Sequence, residues 1–133
     1  MIARADSLCC VIVDDSPLFL AAARNLLQQQ GISVVGVAVT VGEALRRVEE
    51  LRPDLALVDI DLGGESGFEL AERLAGTSVP VVLISTHAQQ DFADLIAESP
   101  AVGFLAKSDL SSVAILALLD GRDGDRISAI RGT

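Results

Sequence analysis

Three aspartates and the single lysine of the chain are the residues whose types and positions indicate chemistry. Asp14, Asp15, Asp59 and Lys107 each stand at the end of a short apolar run. An ionised carboxylate is costly to bury without a partner, so an acid directly after a buried strand is rarely a packing choice. The pattern therefore indicates a site at which carboxylates and an ammonium group meet.

Close carboxylates repel one another by roughly 1–4 kcal/mol per pair at about 4 Å, so they either raise pKa values or hold a cation. Hard divalent ions fit best, because Mg²⁺ takes one or two carboxylates and keeps several waters. Ser85, at the end of another apolar run, adds a hydroxyl donor, and Lys107 adds a point charge suited to a phosphate oxygen. This set of groups is what phosphoryl transfer through an aspartyl phosphate requires.

The apolar runs that carry these residues read as buried strands, and amphipathic helical patterns separate them. The five predicted strands cover residues 8–13, 32–39, 55–58, 79–84 and 101–106. Strands that alternate with helices predict an α/β fold, a (βα)₅ parallel sheet with helices on both faces. The carboxyl ends of parallel strands share one edge, where such sheets bind ligands. The polar residues at the strand ends should therefore converge.

Capping residues indicate where three of the helices begin. Ser16 and Pro17 predict the start of the first helix, and Gly31 predicts its end. Thr40 and Ser66 each precede a Glu by three residues, which predicts capping boxes for the second and third helices.

The last two helices are predicted from apolar residues at helical spacing. Phe92, Leu95 and Ile96 mark the fourth helix. Asp109 is predicted to cap the fifth helix, which ends at Gly121 and has an apolar stripe of Leu110, Val113, Ala114 and Ala117. Residues 1–121 then form one domain, and residues 122–133 form a tail or the start of a linker.

The composition restricts the class of protein. With 133 residues, half of them hydrophobic and 22% charged, the chain fits one folded domain. A net charge of −9 argues against binding of nucleic acid by this chain. No stretch is long enough to span a membrane, and no secretion signal is recognisable. Cys9 and Cys10 read as reduced core residues, which predicts a cytoplasmic location.

Asp14, Asp15, Asp59, Ser85 and Lys107, in this order and each at a strand end, resemble the receiver domain of two-component response regulators. The resemblance covers roughly residues 8–120. It implies a flavodoxin-like (CheY-like), doubly wound sheet with the strand order 2-1-3-4-5. It also implies that Asp59 accepts a phosphoryl group from a sensor histidine kinase in a Mg²⁺-dependent reaction.

The resemblance implies a set of metal ligands. Asp15 and Asp59 would bind Mg²⁺ or Mn²⁺ directly, together with the backbone carbonyl of Asp61, and Asp14 would act through a water molecule. No organic cofactor is implied.

The resemblance also implies a switch. Ser85 and Lys107 would contact the phosphoryl group, and Ser85 and Phe104 would change position after phosphorylation. The surface of helix 4, strand 5 and helix 5 would then bind a partner or a second copy of the chain. His87 reads as a solvated residue, although family members tune dephosphorylation from this position.

Two positions depart from the common family pattern. Ser108 follows the lysine where the family often has Pro, and Gly63 stands where Pro is common in the loop after the acceptor. Gly67 matches the family glycine eight residues after the acceptor. The departures resemble the NarL/FixJ-type subgroup, whose Gly-Phe-Leu-x-Lys run is similar to residues 103–107. That subgroup usually regulates transcription through a following DNA-binding domain, and the sequence leaves open whether the full-length protein has one.

The chain is expected to accept a phosphoryl group and to autodephosphorylate, not to turn over a substrate. Two alternative functions are open at this stage. A receiver-like docking module that works without phosphorylation is one alternative. The other is a haloacid-dehalogenase-like phosphatase, because residues 59–61 imitate its Asp-x-Asp motif. That family carries its nucleophile on the first strand of its core, which disfavours it here.

Overall fold

The computed structural model describes residues 8–120 of the chain. Its core is one sheet in which every neighbouring pair of strands is parallel. The strands lie in the order β2-β1-β3-β4-β5, so the predicted fold class and strand order are confirmed. Their bounds are Cys9–Val13 (β1), Ser33–Ala38 (β2), Leu55–Asp59 (β3), Val81–Ser85 (β4) and Gly103–Ala106 (β5).

A helix follows each strand, as the pattern predicts. The helices are Pro17–Gln29 (α1), Val41–Leu51 (α2), Gly67–Leu74 (α3), Ala93–Glu98 (α4) and residues 112–120 (α5). Two short 3₁₀ turns, Gln89–Phe92 and Lys107–Asp109, precede α4 and α5.

Helices cover both faces of the sheet, and alternate residues of each strand serve the two faces. In β3, Ala56 and Val58 pack in the cluster that includes α2 and α3. Leu55 and Leu57 pack in the cluster that includes α1 and α5. All five residues of β3 are buried, which explains why the strands read as continuous apolar runs instead of alternating ones.

The predicted N-terminal caps of α1 and α2 are present. The hydroxyl of Ser16 accepts a hydrogen bond from the amide of Phe19 at 3.3 Å. The hydroxyl of Thr40 accepts one from the amide of Glu43 at 3.1 Å. The carboxylate of Glu43 reaches back to the amide of Val39 at 2.8 Å, one residue before the position that a capping box uses.

The predicted start of α5 is wrong. Asp109 does not cap this helix, because it ends the 3₁₀ turn that follows β5. The cap is Ser111, whose hydroxyl accepts a hydrogen bond from the amide of Ala114 at 3.0 Å. The turn takes up residues that the sequence pattern assigns to the helix, so the helix begins later.

The face that α5 buries also differs from the prediction. Val113, predicted in the apolar stripe, is 76% exposed, whereas Ile115 is fully buried against the sheet. The apolar residues of α4 are also divided differently from the prediction. Phe92 and Ile96 pack against the core, but Leu95 is 51% exposed.

Neither cysteine of the first strand forms a disulfide. Cys10 is buried and Cys9 is partly buried, as predicted for core residues. Burial raises the pKa of the Cys10 thiol to about 12. No helix within residues 8–120 has the length and apolar character needed to cross a membrane. The predicted end of α5 at Gly121 and the predicted tail at 122–133 lie outside the described residues.

Candidate functional site

Asp14, Asp59 and Lys107 meet at the carboxyl edge of the sheet. The Nζ atom of Lys107 lies 3.0 Å from Oδ2 of Asp59 and 2.5 Å from Oδ2 of Asp14. Asp14 follows β1, which pairs directly with β3, so the two carboxylates are brought together by the strand order. Lys107 follows β5, about 10 Å from β3 across β4, and only a long side chain can span that distance.

Asp15 completes a group of three carboxylates with Asp14 and Asp59. One oxygen from each residue lies within 4.8 Å of the others. Asp14 is fully buried, whereas Asp15 is exposed, because neighbouring residues at the end of an extended strand point in opposite directions. The group therefore has two buried members and one at the surface.

The environment of Asp59 raises the pKa of its carboxyl group to about 6. Burial is the main cause, and the nearby charge of Asp14 adds to it. Two contacts act in the opposite direction, because Oδ1 of Asp59 accepts a hydrogen bond from the amide of Asp61 at 3.1 Å and Oδ2 accepts one from Lys107. The carboxylate is therefore predominantly ionised at neutral pH.

The ammonium of Lys107 also contacts the aromatic ring of Phe19. Its Nζ atom lies 4.1 Å from the centroid of the Phe19 ring, which adds a cation–π contact. Burial alone would lower the pKa of Lys107, but the carboxylates of Asp14 and Asp59 outweigh burial and raise it. Helical spacing in the sequence indicates only that Phe19 belongs to the apolar face of α1. Its contact could have been suspected, since the first turn of α1 follows the acidic pair.

The residues present fit a hard divalent cation. Oδ2 of Asp14 is buried, and within the described residues its one polar partner is the ammonium of Lys107. Together with Asp15 and Asp59 it offers an anionic, all-oxygen donor set, which suits Mg²⁺ or Mn²⁺ better than softer metals. The amide of Asp61 donates a hydrogen bond to Asp59 at this site. The role of the Asp61 carbonyl as a metal ligand stays a prediction.

The loop after β3 approaches the site closely. Gly67 packs against the backbone of β3 so tightly that a Cβ atom there would overlap the carbonyl oxygen of Asp59 and lie 2.8 Å from Cα of Ile60. Glycine is therefore required where α3 begins. Ser66 caps this helix by accepting a hydrogen bond from the amide of Phe68 at 3.1 Å.

Ser85 lies at the end of β4 and is 2% exposed. Its hydroxyl accepts a hydrogen bond from the amide of His87 at 2.9 Å and lies 3.5 Å from Nδ1 of the same residue. The His87 ring is exposed, as predicted, and it also meets Phe92 edge-on at 5.7 Å. The hydroxyl of Ser85 is thus engaged by His87, and its contact with a phosphoryl group stays a prediction.

Phe104 is 9% exposed and packs in the cluster that includes α2 and α3. The ring thus occupies the inward position that a switch residue would leave or enter. Its role as a switch stays a prediction.

A parallel sheet in this order, with acids from two strands and a lysine from a third at its carboxyl edge, defines a domain of the receiver type. Residues 10–118 match the family model of the response regulator receiver domain. The chain therefore belongs to this family.

Curated relatives include two bacterial regulators. The chain is 32% identical over 116 residues to the DNA-binding transcriptional activator EvgA of Escherichia coli K12, covering 86% of this chain and 57% of EvgA. It is 29% identical over 119 residues to the transcriptional regulatory protein DesR of Bacillus subtilis, covering 89% of this chain and 60% of DesR. The chain thus spans less than two thirds of the length of these relatives.

A solved structure gives the same result for the fold. The signal receiver domain of the response regulator NarL from Mycobacterium tuberculosis is 30% identical, with a TM-score of 0.72. The superposition covers 88% of this chain and 97% of that domain.

Proposed function

We propose that this receiver domain accepts a phosphoryl group on Asp59 from the phosphohistidine of a sensor histidine kinase. The observation that carries the proposal is the position of the Asp59 carboxylate, which contacts the ammonium of Lys107 and lies beside the carboxylates of Asp14 and Asp15. A nucleophile, a cation and a set of oxygen ligands in one place are the parts that phosphoryl transfer uses.

The chemistry follows from the charges. An oxygen of Asp59 forms a bond to phosphorus as the bond from phosphorus to the imidazole nitrogen breaks and the imidazole leaves with the electron pair. Because the pKa of Asp59 is about 6, the attacking carboxylate needs no general base at neutral pH. Lys107 already contacts this carboxylate and would stabilise the negative charge that develops on the phosphoryl oxygens.

We further propose that Asp15, Asp59 and the carbonyl of Asp61 bind Mg²⁺ or Mn²⁺, with Asp14 acting through a water molecule. The metal would neutralise negative charge on the phosphoryl oxygens. The exposed position of Asp15 supports this assignment, since the ion must enter from solvent.

Phosphorylation then acts on Ser85 and Phe104. The oxygens of the new dianion compete with Nδ1 of His87 for the proton of the Ser85 hydroxyl, and this change is transmitted through β4 and β5 to the ring of Phe104. The surface of α4, β5 and α5 would bind a partner or a second copy of the chain. We place the domain in the cytoplasm as part of a transcription regulator, because the names of its relatives describe transcription regulators.

The domain acts in this proposal as an acceptor that releases its own phosphate by hydrolysis, not as a turnover enzyme. The match to the receiver family gives no support to a haloacid-dehalogenase-like phosphatase. A docking role without phosphorylation predicts that the chain gains no phosphoryl group, which the following experiment tests.

The test is phosphorylation by acetyl phosphate in the presence of Mg²⁺, followed by intact mass spectrometry. The wild-type protein should gain the mass of one phosphoryl group, and the Asp59→Asn protein should gain none. Asp94→Asn is the matched control, since it makes the same change at an exposed carboxylate on α4, and it should be phosphorylated. Removal of Mg²⁺ with a chelator should prevent the gain. An unmodified wild-type protein would contradict the proposal.

A further inference from the structure

Gly63 lies against the exposed metal-ligand candidate Asp15. A Cβ atom built on Gly63 would lie 2.7 Å from Oδ2 of Asp15 and 3.6 Å from its Cγ atom. Asp15 is exposed, and its carboxylate occupies the space that a side chain at position 63 would take, so a residue without a Cβ atom leaves this space free. We propose that Gly63 positions the Asp15 carboxylate for the divalent cation, an inference that rests on the proposed metal-dependent phosphotransfer.

The backbone that carries Gly63 is well fixed. Its amide donates to Oδ1 of Asp61 at 3.1 Å. The amide of Leu62 donates to the carbonyl of Glu65 at 3.0 Å, and Asp61 forms an antiparallel bridge with Ser66. The loop after β3 is thus a tight hairpin that presents its tip to Asp15.

The two central residues of this hairpin both have positive φ angles but different surroundings. Gly63 has a φ of 64° and Gly64 has a φ of 106°, values that favour glycine at both positions. A Cβ atom on Gly64 would have nothing within 4 Å, whereas one on Gly63 would meet Asp15. Alanine at either position therefore carries strain at positive φ, but only alanine at position 63 also displaces a carboxylate.

The atom that the methyl group would displace is Oδ2 of Asp15, at the far end of a flexible side chain. We therefore expect a larger effect on metal binding than on folding. Asp15 is exposed, so its carboxylate can rotate away from a methyl group with little loss of packing. The rotation moves the carboxylate, one oxygen of which lies within 4.8 Å of oxygens of Asp14 and Asp59. Gly63 therefore contributes to metal affinity beyond what it contributes to folding.

The experiment compares Gly63→Ala with Gly64→Ala in the complete 133-residue chain. Mg²⁺ alone is titrated into each protein and followed by ¹H–¹⁵N NMR, and thermal unfolding is measured in chelator. We expect the two variants to unfold at similar temperatures. We expect Gly63→Ala to bind Mg²⁺ about tenfold more weakly than Gly64→Ala, the lower end of losses seen when a residue that orients a metal ligand is changed.

Asp15→Asn provides the reference for a site that lacks this ligand, and Gly63→Ala should not bind more weakly than it does. Equal Mg²⁺ affinities of the two alanine variants, with a wild-type protein that binds the ion, would overturn the positioning role alone. A much lower unfolding temperature for Gly63→Ala than for Gly64→Ala would also overturn it. The methyl group would then disturb the fold and not only the orientation of the Asp15 carboxylate. A wild-type protein that does not bind Mg²⁺ would remove the proposed function as well.

Discussion

The ammonium of Lys107 lies 3.0 Å from Oδ2 of Asp59, a residue 48 positions earlier in the chain. The same nitrogen pairs with Asp14, so one cation compensates two buried carboxylates that would otherwise repel each other. Hydrogen bonds to charged groups contribute about 1.5–3 kcal/mol, which makes this contact a substantial part of the stability of a small domain.

Replacement of Lys107 by methionine should therefore destabilise the metal-free protein by about 2 kcal/mol at pH 7. Methionine keeps an unbranched stem over the Phe19 ring and removes the charge. The loss should be partly reversed by Mg²⁺, because a bound divalent cation replaces the missing positive charge at the two carboxylates. Urea unfolding with and without Mg²⁺ measures both effects.

Lys107→Arg is the control for charge in this comparison, since it keeps a cation but changes its shape. It should lose less stability than Lys107→Met. Coincident unfolding curves for wild type and Lys107→Met would show that the ion pairs contribute nothing to folding.

Asp59 should make the metal-free protein more stable in mild acid than at neutral pH. Its pKa is raised from 3.8 to about 6, so the folded state binds a proton more readily than the unfolded state. Between these two values the folded state holds more protons, and its free energy of unfolding falls as pH rises. The contribution is fully present below pH 3.8 and lost as pH passes about 6, with a total of about 1–3 kcal/mol.

The measurement is urea unfolding in chelator at several pH values, for wild type and Asp59→Asn. The difference between the two proteins isolates this residue, because an amide does not titrate. We expect the stability of Asp59→Asn relative to wild type to increase from pH 4 to pH 7. A difference that stays constant with pH would contradict the raised pKa.

Gly67→Ala should be strongly destabilising. The added methyl group would overlap the carbonyl oxygen of Asp59 and press on Cα of Ile60, and neither backbone atom can move without distorting β3. Overpacking of this kind costs about 1–3 kcal/mol or more, and here it also shifts the phosphoacceptor. Gly76→Ala is the matched control, because a Cβ atom there has open space, and it should unfold within about 0.5 kcal/mol of wild type. Chemical denaturation measures the free energy of unfolding of both variants, and equal values for the two would contradict the prediction.

The convergence of the site could be predicted from the sequence because it follows from topology. Once five apolar strands alternate with helices, the sheet is parallel, and residues that end different strands must share an edge. Asp14, Asp59 and Lys107 meet for this reason, even though Lys107 lies two strands from Asp59. The strand order itself came from the resemblance to receivers, since periodicity does not contain it.

The contacts that orient the site could not be predicted in the same way. The approach of Gly63 to Asp15 and the place of Phe19 beneath Lys107 depend on how a loop and a helix turn pack in three dimensions. The engagement of Ser85 by His87 depends on a side-chain rotamer. Apolar spacing indicates which segments pack against the sheet, but it does not determine these contacts.

The start of α5 shows the same limit and gives a further prediction. Asp109 has the sequence features of a helix cap, but a 3₁₀ turn after β5 moves the cap to Ser111. A cap contributes about 1 kcal/mol through the hydrogen bond that its side chain accepts from the first turn. Ser111→Ala should therefore destabilise the protein by about 1 kcal/mol, whereas Asp109→Ala at an exposed turn position should change stability by less than about 0.5 kcal/mol.

Thermal and urea unfolding of the two variants measure this difference, and Ser111→Asp refines it. Aspartate at position 111 can accept the same hydrogen bond from the amide of Ala114, so it should retain the stability that alanine loses. A larger loss for Asp109→Ala than for Ser111→Ala would mean that the helix begins where the sequence pattern alone places it. The phase of α5, with Ile115 inward and Val113 outward, would then have to change as well.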